Sequence, residues 1–321
     1  LHLSLRRQRQ MCIRDRCKVK CLFIINPSSG KHIIQKTLDV LIGQLVLKQL
    51  VHYLDIYYTK GHNDAYEYLQ TITYHQYDFI VSVGGDGTQN EVVSGIIDAK
   101  IDIPILILAA GTVNDLATYL KLPNKMNEII QLIEDFHITT MDVGCANHSY
   151  FINVLAGGMF SDIGFKVDKR QKQMLGPLAY YLNGLFDLPN QLSSTMDLQF
   201  KVDDEIINEE AYLFLITNSS SVGGFQISPI AAVTDGKFDL LIVKKCKITD
   251  LIALSKDFLL SRHLESPFLI YRQAKHIEIS SSKLVELDLD GEKGGCLPID
   301  VKVLPKAIKI ITPKPKSDKN D

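Results

Sequence analysis

YDFIVSVGGDGTQNEVVSGII, residues 77–97, is the stretch on which the reading of the fold turns. YDFIVSV (77–83) is a short apolar run, as a strand buried on both faces should be. QNEVVSGII (89–97) has its apolar residues at helical spacing. Between them three glycines surround one aspartate. Gly84, Gly85 and Gly87 remove side chains that would keep a ligand off the backbone. Thr88 reads as the N-cap, with Glu91 three residues on, a T-x-x-E capping box. A helix N-terminus reached through such a loop suits a phosphate group. Asp86 is the odd member, because a carboxylate repels phosphate unless Mg²⁺ bridges or neutralises the pair. The loop therefore reads as a site for a metal–nucleotide complex; the plainer reading of Asp86 is a turn cap.

The same alternation continues on either side. VKCLFIINP (19–27), VHYLDIYYT (51–59) and IPILILA (103–109) read as strands, and residues 33–50, 63–72 and 113–120 as helices. Strands alternating with helices imply a parallel sheet covered by helices. After about residue 140 the pattern changes. MDLQFKV (196–202), FDLLIVKK (238–245), HIEIS (276–280), LVELDLD (284–290) and VKVLPKAIKII (301–311) are strand-like, with Asp203-Asp204 as a turn. Helical signal remains in 171–188 and 250–264. The fold class expected is an α/β N-terminal domain with a parallel sheet, followed by a β-rich, mostly antiparallel domain.

Composition narrows the function. The 321 residues carry a formal net charge of -2, which does not suit a nucleic-acid binder. Hydrophobic residues make up 46%, enough for a sizeable core, yet no apolar stretch is long enough to span a bilayer. The six cysteines are scattered without C-x-x-C spacing and read as reduced thiols of a cytosolic protein. The Arg-rich residues 1–17 lack the apolar region of a secretory signal. They are expected to be foreign to the native protein or disordered, with a basic membrane-binding arm as the alternative.

Two further segments repeat the strand–glycine device. ILAAGTVNDLATYL (107–120) places Gly111 after a strand, Thr112 as N-cap and Asp115 three residues on. NPSSGK (26–31) follows the first strand with small polar donors, although alone it is an ordinary turn. Neither loop is a standard nucleotide motif: GGDGTQN has Asn90 where G-x-G-x-x-G needs its third glycine, and NPSSGK lacks the first glycine of a Walker A loop. Two adjacent helix N-termini at one sheet edge nevertheless favour an anionic ligand there.

In order along the chain, NPSSGK, GGDGTQNE, AGTVND, DVG (142–144), TDGKFDLLIV (234–243) and LDLDGE (287–292) resemble the soluble bacterial diacylglycerol kinase family. The catalytic domain of that family is shared with sphingosine and ceramide kinases. GGDGT alone is less specific, since NAD kinases and phosphofructokinases have similar loops. The resemblance covers roughly residues 18–312 and rests on ordered motifs. It implies a nucleotide site in the cleft between the α/β domain and a sandwich-like β domain. It also implies that the C-terminal segment returns to the first domain. The domains expected are 18–138 with about 303–312 returning, then 139–302, then a disordered tail, 313–321.

The resemblance implies roles residue by residue. Asn26, Pro27, Ser28, Ser29 and Gly30, with Gly84, Gly85, Asp86, Gly87, Thr88, Gln89 and Asn90, line the ATP site, which Thr59 and Thr112 also contact. Glu292 is the general base, with Asp142 as a second carboxylate near it and Asp86 as the third catalytic carboxylate. Asp235, with the backbones of Ala232 and Lys237, holds a structural Mg²⁺ distinct from the one carried by ATP. Read without the family, Glu292 and Asp290 are near-equal candidates for the base, a solvated turn is a plainer reading than either, and TDGKF is a turn.

The acceptor must be an alcohol. MLGPLAYYLNGLFDLP (174–189) and DLIALSKDFLLSRHL (250–264) are apolar with helical spacing and could face lipid, ordinary packing being the plainer reading. The reading carried forward is an ATP- and Mg²⁺-dependent lipid kinase converting diacylglycerol to phosphatidic acid. It is expected to be cytoplasmic with peripheral membrane contact, and a homodimer is possible within the family. The alternatives are the same chemistry on a sphingoid base, phosphatidylglycerol or NAD, or a nucleotide or lipid sensor without turnover.

Overall fold

The structure, a computed structural model, describes residues 18–29, 33–73, 75–111, 114–158 and 195–315. The chain divides into two compact units. One comprises Leu1–Gly111, Leu120–Thr139 and Lys309–Asp321, the other Thr112–Tyr119 and Thr140–Ile308.

In the first unit β1 (Lys20–Ile25), β2 (Tyr53–Tyr58), β3 (Phe79–Gly84) and β4 (Ile105–Ala109) lie parallel in the order β2-β1-β3-β4. Helices α1 (Ile33–Leu47), α2 (Asp64–Leu69) and α3 (Asp86–Asp98) connect them. Next come the short α4 (Asp115–Tyr119), which belongs to the second unit, and α5 (Met126–Asp135). Every residue of β3 is buried, which is why its sequence is apolar but for Ser82. β2 is an edge strand that leaves Tyr53, Ile56 and Tyr58 exposed, so its run alternates only in part. Phe23, Leu41, Leu45, Val81, Leu106 and Ile129 share one core. α5 lies where no helix is expected, although Ile129, Ile130, Leu132 and Ile133 give it a buried face. The chain leaves β1 on one side for β2 and returns on the other for β3. The order of the sheet therefore reverses between β1 and β3, and a crevice opens at their carboxyl ends.

The second unit is antiparallel. It contains most of β5 (Ile138–Ala146), then β6 (Ser149–Phe151), β7 (Val154–Gly158), β8 (Met196–Val202) and β9 (Glu205–Thr217). The small hairpin β10 (Ser221–Val222) and β11 (Phe225–Gln226) leads to β12 (Phe238–Lys244) and α6 (Ile248–Leu259). The last strands are β13 (Leu269–Ala274), β14 (His276–Ser281), β15 (Glu286–Leu289), β16 (Glu292–Cys296) and β17 (Ile299–Ile311), whose final residues from Lys309 belong to the first unit. There Ile310 pairs with Ile105 of β4 in parallel. β9 is the spine: its first half pairs with β8, and its second half lies between β7 and β12. Asp203, with φ 50°, turns β8 into β9, at the turn expected from Asp203-Asp204.

Phe200, Phe214, Phe238, Ile277, Leu287 and Val301 fill the main core of this unit. Leu241 and Val243 of β12 face the other way, onto Leu251 and Leu254 of α6. β12 is thus buried on both faces, and Leu240–Val243 form an apolar run, with buried Asp239 before it. The helix expected over 250–264 ends at Leu259; Ser261 has φ 53°, and a 3-10 turn at His263–Glu265 follows. β5, β6, β7, β9, β10, β11, β13 and β16 lie where no strand is expected. The expected helix 171–188 and the last residues of the tail, 316–321, fall outside the described residues.

Candidate active site

The crevice of the first unit is built from three loops. β3 runs to Gly84, and Gly85 is the N-cap of α3 in an extended conformation (φ -87°, ψ -174°). The helix begins at Asp86, three residues before the expected start, and Gln89 N–H already donates to the Gly85 carbonyl at 3.1 Å. Thr88 is therefore no N-cap: it lies buried in the first turn, where its Oγ1 accepts a hydrogen bond from Asn26 Nδ2 at 2.9 Å. Glu91 does not complete a capping box either. Its carboxylate accepts from Asn63 N–H (2.7 Å) and Ala65 N–H (3.2 Å), and so caps α2. The T-x-x-E spacing has two structural meanings, and here tertiary packing selects the second.

The glycines make this junction possible. A Cβ on Gly84 would stand 2.4 Å from Thr88 Cβ, and one on Gly85 would stand 3.3 Å from the Cα of Gly111. Asn26 N–H donates to the Val83 carbonyl at 2.9 Å and Ala110 N–H to the Gly84 carbonyl at 2.8 Å, so the loops after β1 and β4 both close on the loop after β3. Asp86, Gly87 and Thr88 contribute first-turn N–H groups, which have no acceptor within a helix. The positive end of the helix dipole points the same way. Half-buried Asp86 is the first helical residue, in the dipole's favourable end for a carboxylate.

The other first-unit candidates surround this junction. Asn26 Oδ1 accepts from Ser28 N–H at 2.9 Å, and Ser29 Oγ donates to the Asn26 carbonyl at 2.8 Å, so Pro27 and the serines form a tight polar turn. Thr59 is buried at the end of β2, its N–H donating to the Ile25 carbonyl at 2.9 Å. Gln89 is buried; its Nε2 donates to the Gly84 carbonyl at 3.4 Å, while Oε1 has no partner among the described residues. Asn90 Oδ1 accepts from Ser94 Oγ at 3.2 Å. Gly30 and Thr112 lie outside the described residues.

The remaining candidates belong to the second unit. Asp142 is fully buried on β5, and both its oxygens are occupied by backbone. Oδ2 accepts from Gly236 N–H at 2.6 Å and Oδ1 from Lys306 N–H at 2.7 Å, while Asp142 N–H donates to the Val233 carbonyl at 2.8 Å. Asp235 sits exposed in the loop so tied. Its Oδ1 accepts from Lys237 N–H at 3.0 Å, and its own N–H donates to the Ala232 carbonyl at 3.3 Å. Among the described residues no three His, Cys, Asp or Glu side chains cluster as metal ligands. The donors here are one carboxylate and the carbonyls of Ala232 and Lys237. That all-oxygen set fits a hard cation that keeps several of its waters, as Mg²⁺ does.

Glu292 is exposed at the start of β16, after the two-residue turn Asp290–Gly291, both with positive φ (53° and 89°). Glycine and aspartate are the residues such a hairpin turn tolerates. The alternation of LVELDLD puts Asp288 and Asp290 on one polar face of the strand, yet both carboxylates are tied to backbone N–H groups. Asp288 is buried and accepts from Gly291 N–H at 2.7 Å. Asp290 accepts from the N–H groups of Ile152, Asn153 and Val154.

Asp115 is the first residue of α4, not the third of a capped turn. Its carboxylate accepts from Gly223 N–H (2.6 Å), Gly224 N–H (2.9 Å) and Asn153 Nδ2 (3.3 Å). Burial pushes its pKa up, the two glycine amides oppose that, and the charge of Asp290 adds to it. Asn153 and Asn218 escaped the sequence reading. Asn218 is fully buried, and its Nδ2 donates to the carbonyls of Asp142 and Ile152, both at 2.9 Å. Isolated asparagines carry no motif; only the neighbourhood of β6 and β7 shows what they hold.

Two family models match successive stretches of the chain. The family model described as the diacylglycerol kinase catalytic domain matches residues 20–146. A second, described as the YegS C-terminal NAD kinase beta sandwich-like domain, matches residues 154–312. A diacylglycerol kinase of Staphylococcus haemolyticus is 37% identical over 298 residues, covering 92% of this chain and 89% of that protein. One of Bacillus subtilis is 32% identical over 300 residues, 93% of this chain and 98% of that one. A crystal structure of a diacylglycerol kinase from Bacillus anthracis superposes with a TM-score of 0.76 at 26% identity, covering 93% of this chain and 99% of that one.

Proposed function

Because the chain belongs to the bacterial diacylglycerol kinase family, a family of lipid kinases, we propose that it transfers the γ-phosphoryl group of Mg²⁺-bound ATP to the free hydroxyl of diacylglycerol. The product is phosphatidic acid. The observation that carries this reading is the junction at Thr88. Three glycine-bearing or small-residue loops close on one helix N-terminus at the reversal point of a parallel sheet. Such a junction cradles phosphates with backbone N–H groups.

In this reading the first turn of α3 and the turn Asn26–Ser29 hold the phosphate chain. Glu292 accepts the proton of the acceptor hydroxyl as its oxygen bonds to the γ-phosphorus, and the bridging oxygen leaves with ADP. Its exposed place after a tight turn suits a base that must meet a lipid hydroxyl. Mg²⁺ bound with ATP would offset the negative charge beside Asp86, and a second Mg²⁺ at Asp235 and the carbonyls of Ala232 and Lys237 would order that loop. Asp142 supports the same loop through Gly236 and is assigned an anchoring role. The lipid acceptor puts the reaction at a membrane surface, with the enzyme on the cytoplasmic side. No helix among the described residues is long and apolar enough to cross a membrane.

An acceptor panel tests the proposal. The protein, ATP and Mg²⁺ are mixed with micelles of diacylglycerol, and separately with sphingosine, phosphatidylglycerol and NAD. Mass spectrometry then reads which acceptor gains a phosphate. Phosphatidic acid as the main product is the expected result. A phosphorylated product from another acceptor alone would move the substrate and keep the chemistry. ATP binding without transfer to any acceptor would mean a sensor, not a kinase.

A further inference from the structure

Asp290 precedes Glu292 by one glycine and is bonded to one short segment of backbone. Its Oδ1 accepts from the N–H groups of Asn153 and Val154, both at 2.9 Å, and its Oδ2 from Ile152 N–H at 2.6 Å. Its own N–H donates to the Val154 carbonyl at 2.9 Å. We propose that Asp290 is the positioning residue for Glu292: its carboxylate fastens the β15–β16 turn to residues 152–154 and thereby fixes where the glutamate side chain stands. This rests on Glu292 being the general base.

The anchor is itself rigid. Phe151 lies in the core, the Ile152 carbonyl accepts from Asn218 Nδ2 at 2.9 Å, and the Asn153 carbonyl accepts from Asn218 N–H at 2.9 Å. Asn153 Nδ2 donates to the Ser221 carbonyl at 3.1 Å and to Asp115. Glu292, by contrast, is exposed. Its backbone is paired with Leu289 across the hairpin, and Asp290 ties the turn of that hairpin to residues 152–154. Asp290 is a poor base in its own right. An ionised carboxylate offers about four lone-pair positions, and three are given to N–H groups.

The test uses four variants of the full chain: Glu292→Gln, Asp290→Asn, Asp290→Ala and the double variant Asp290→Ala/Glu292→Gln. Steady-state transfer to diacylglycerol and thermal melting are measured on each. E292Q is expected to lose nearly all turnover. D290A is expected to lower kcat about 100-fold, the scale of an ångström's misplacement of a catalytic group. Its KM for ATP should stay within about twofold of wild type, because the nucleotide junction is untouched. D290N keeps an acceptor oxygen for Asn153 and Val154 and should fall between D290A and wild type. The double variant should be no slower than E292Q, since residues acting as one unit do not add.

Wild-type kcat in D290N and D290A with an inactive E292Q overturns the positioning role and leaves the base in place. Wild-type kcat in E292Q overturns the base itself, whatever Asp290 does. A loss in D290A confined to KM for ATP also overturns the proposal. If D290A does not fold, D290N decides alone: kcat reduced about tenfold at unchanged KM supports the role, and unchanged kcat refutes it.

Discussion

Asp142→Asn replaces one buried oxygen by an NH₂ group and leaves the shape of the side chain intact. The wild-type carboxylate accepts from Gly236 N–H at 2.6 Å and from Lys306 N–H at 2.7 Å, with no exposure to solvent. The amide of the variant can accept from only one of these. The other N–H then faces a second donor, away from water. A buried donor without an acceptor costs about 1–3 kcal/mol, so D142N should lose about 2 kcal/mol of stability. Asp142→Ala strands both N–H groups and should lose about 4 kcal/mol on the same scale. For folding units of this size, 2 kcal/mol corresponds to a fall in Tm of about 4–8 °C. Lys306 feels the change most: its φ is 53°, outside strand geometry, and its N–H turns to Asp142. Thermal denaturation followed by circular dichroism reads the shift, and transfer to diacylglycerol is assayed beside it. Activity should fall with the loosening of the Asp235 loop and recover in part at higher Mg²⁺. A D142N protein that melts within about 1 °C of wild type yet transfers no phosphate would refute the reasoning, because the charge would then act on the reaction and not on the fold.

Gly84→Ala should raise KM for ATP about tenfold, equivalent to 1.4 kcal/mol, because the new Cβ would stand 2.5 Å from Thr88 Oγ1 and break the Asn26–Thr88 bond; steady-state kinetics with an unchanged KM would contradict this. Asp235→Ala should raise the Mg²⁺ concentration for half-maximal activity about tenfold at fixed ATP, and an unaltered Mg²⁺ titration would remove the second cation from that loop. The pKa of Asp115 is raised above its ordinary 3.8 by burial. The folded state then holds a proton that the unfolded chain has released, so its contribution is present below 3.8 and lost as pH rises through the folded value. The Tm of wild type minus that of Asp115→Asn should therefore be larger in acid and shrink toward neutrality, and a difference that grows with pH would be against it.

How much of this could be read from residues alone depended on what holds each element. β1, β3 and β4 announce themselves because parallel strands covered on both faces are nearly continuous apolar runs. β12 does so for the same reason, with α6 on one side and the main core on the other. β9 hid because its halves live in different surroundings. EIINEE pairs with β8 near solvent, while AYLFLIT is packed between β7 and β12, and no single period covers both. The start of α3 is not legible because Asp86, Gly87 and Thr88 look like loop and cap residues, which they are in isolation. Packing of Thr88 against Asn26 draws them into the helix.

The aspartates of the motifs show a different limit. Asp115, Asp142 and Asp290 stand in AGTVND, DVG and LDLDGE, where a carboxylate invites a catalytic reading. All three accept backbone N–H groups, from Gly223 and Gly224, from Gly236 and Lys306, and from Ile152, Asn153 and Val154. A backbone partner leaves no mark in residue type, so such a clamp shows in sequence only as an aspartate. Two of the loops so fastened carry side chains of the proposed site: Asp142 ties down the turn of Asp235, and Asp290 the turn of Glu292. A charge-assisted bond to an amide is about twice as strong as a neutral one, and two or three from one short side chain fix a loop with little freedom left. That accounts for aspartate at these places. Glutamate adds a rotatable bond, and asparagine can serve only part of each amide set. At position 292, where the proposed reaction needs a side chain that reaches a substrate hydroxyl, the longer acid stands.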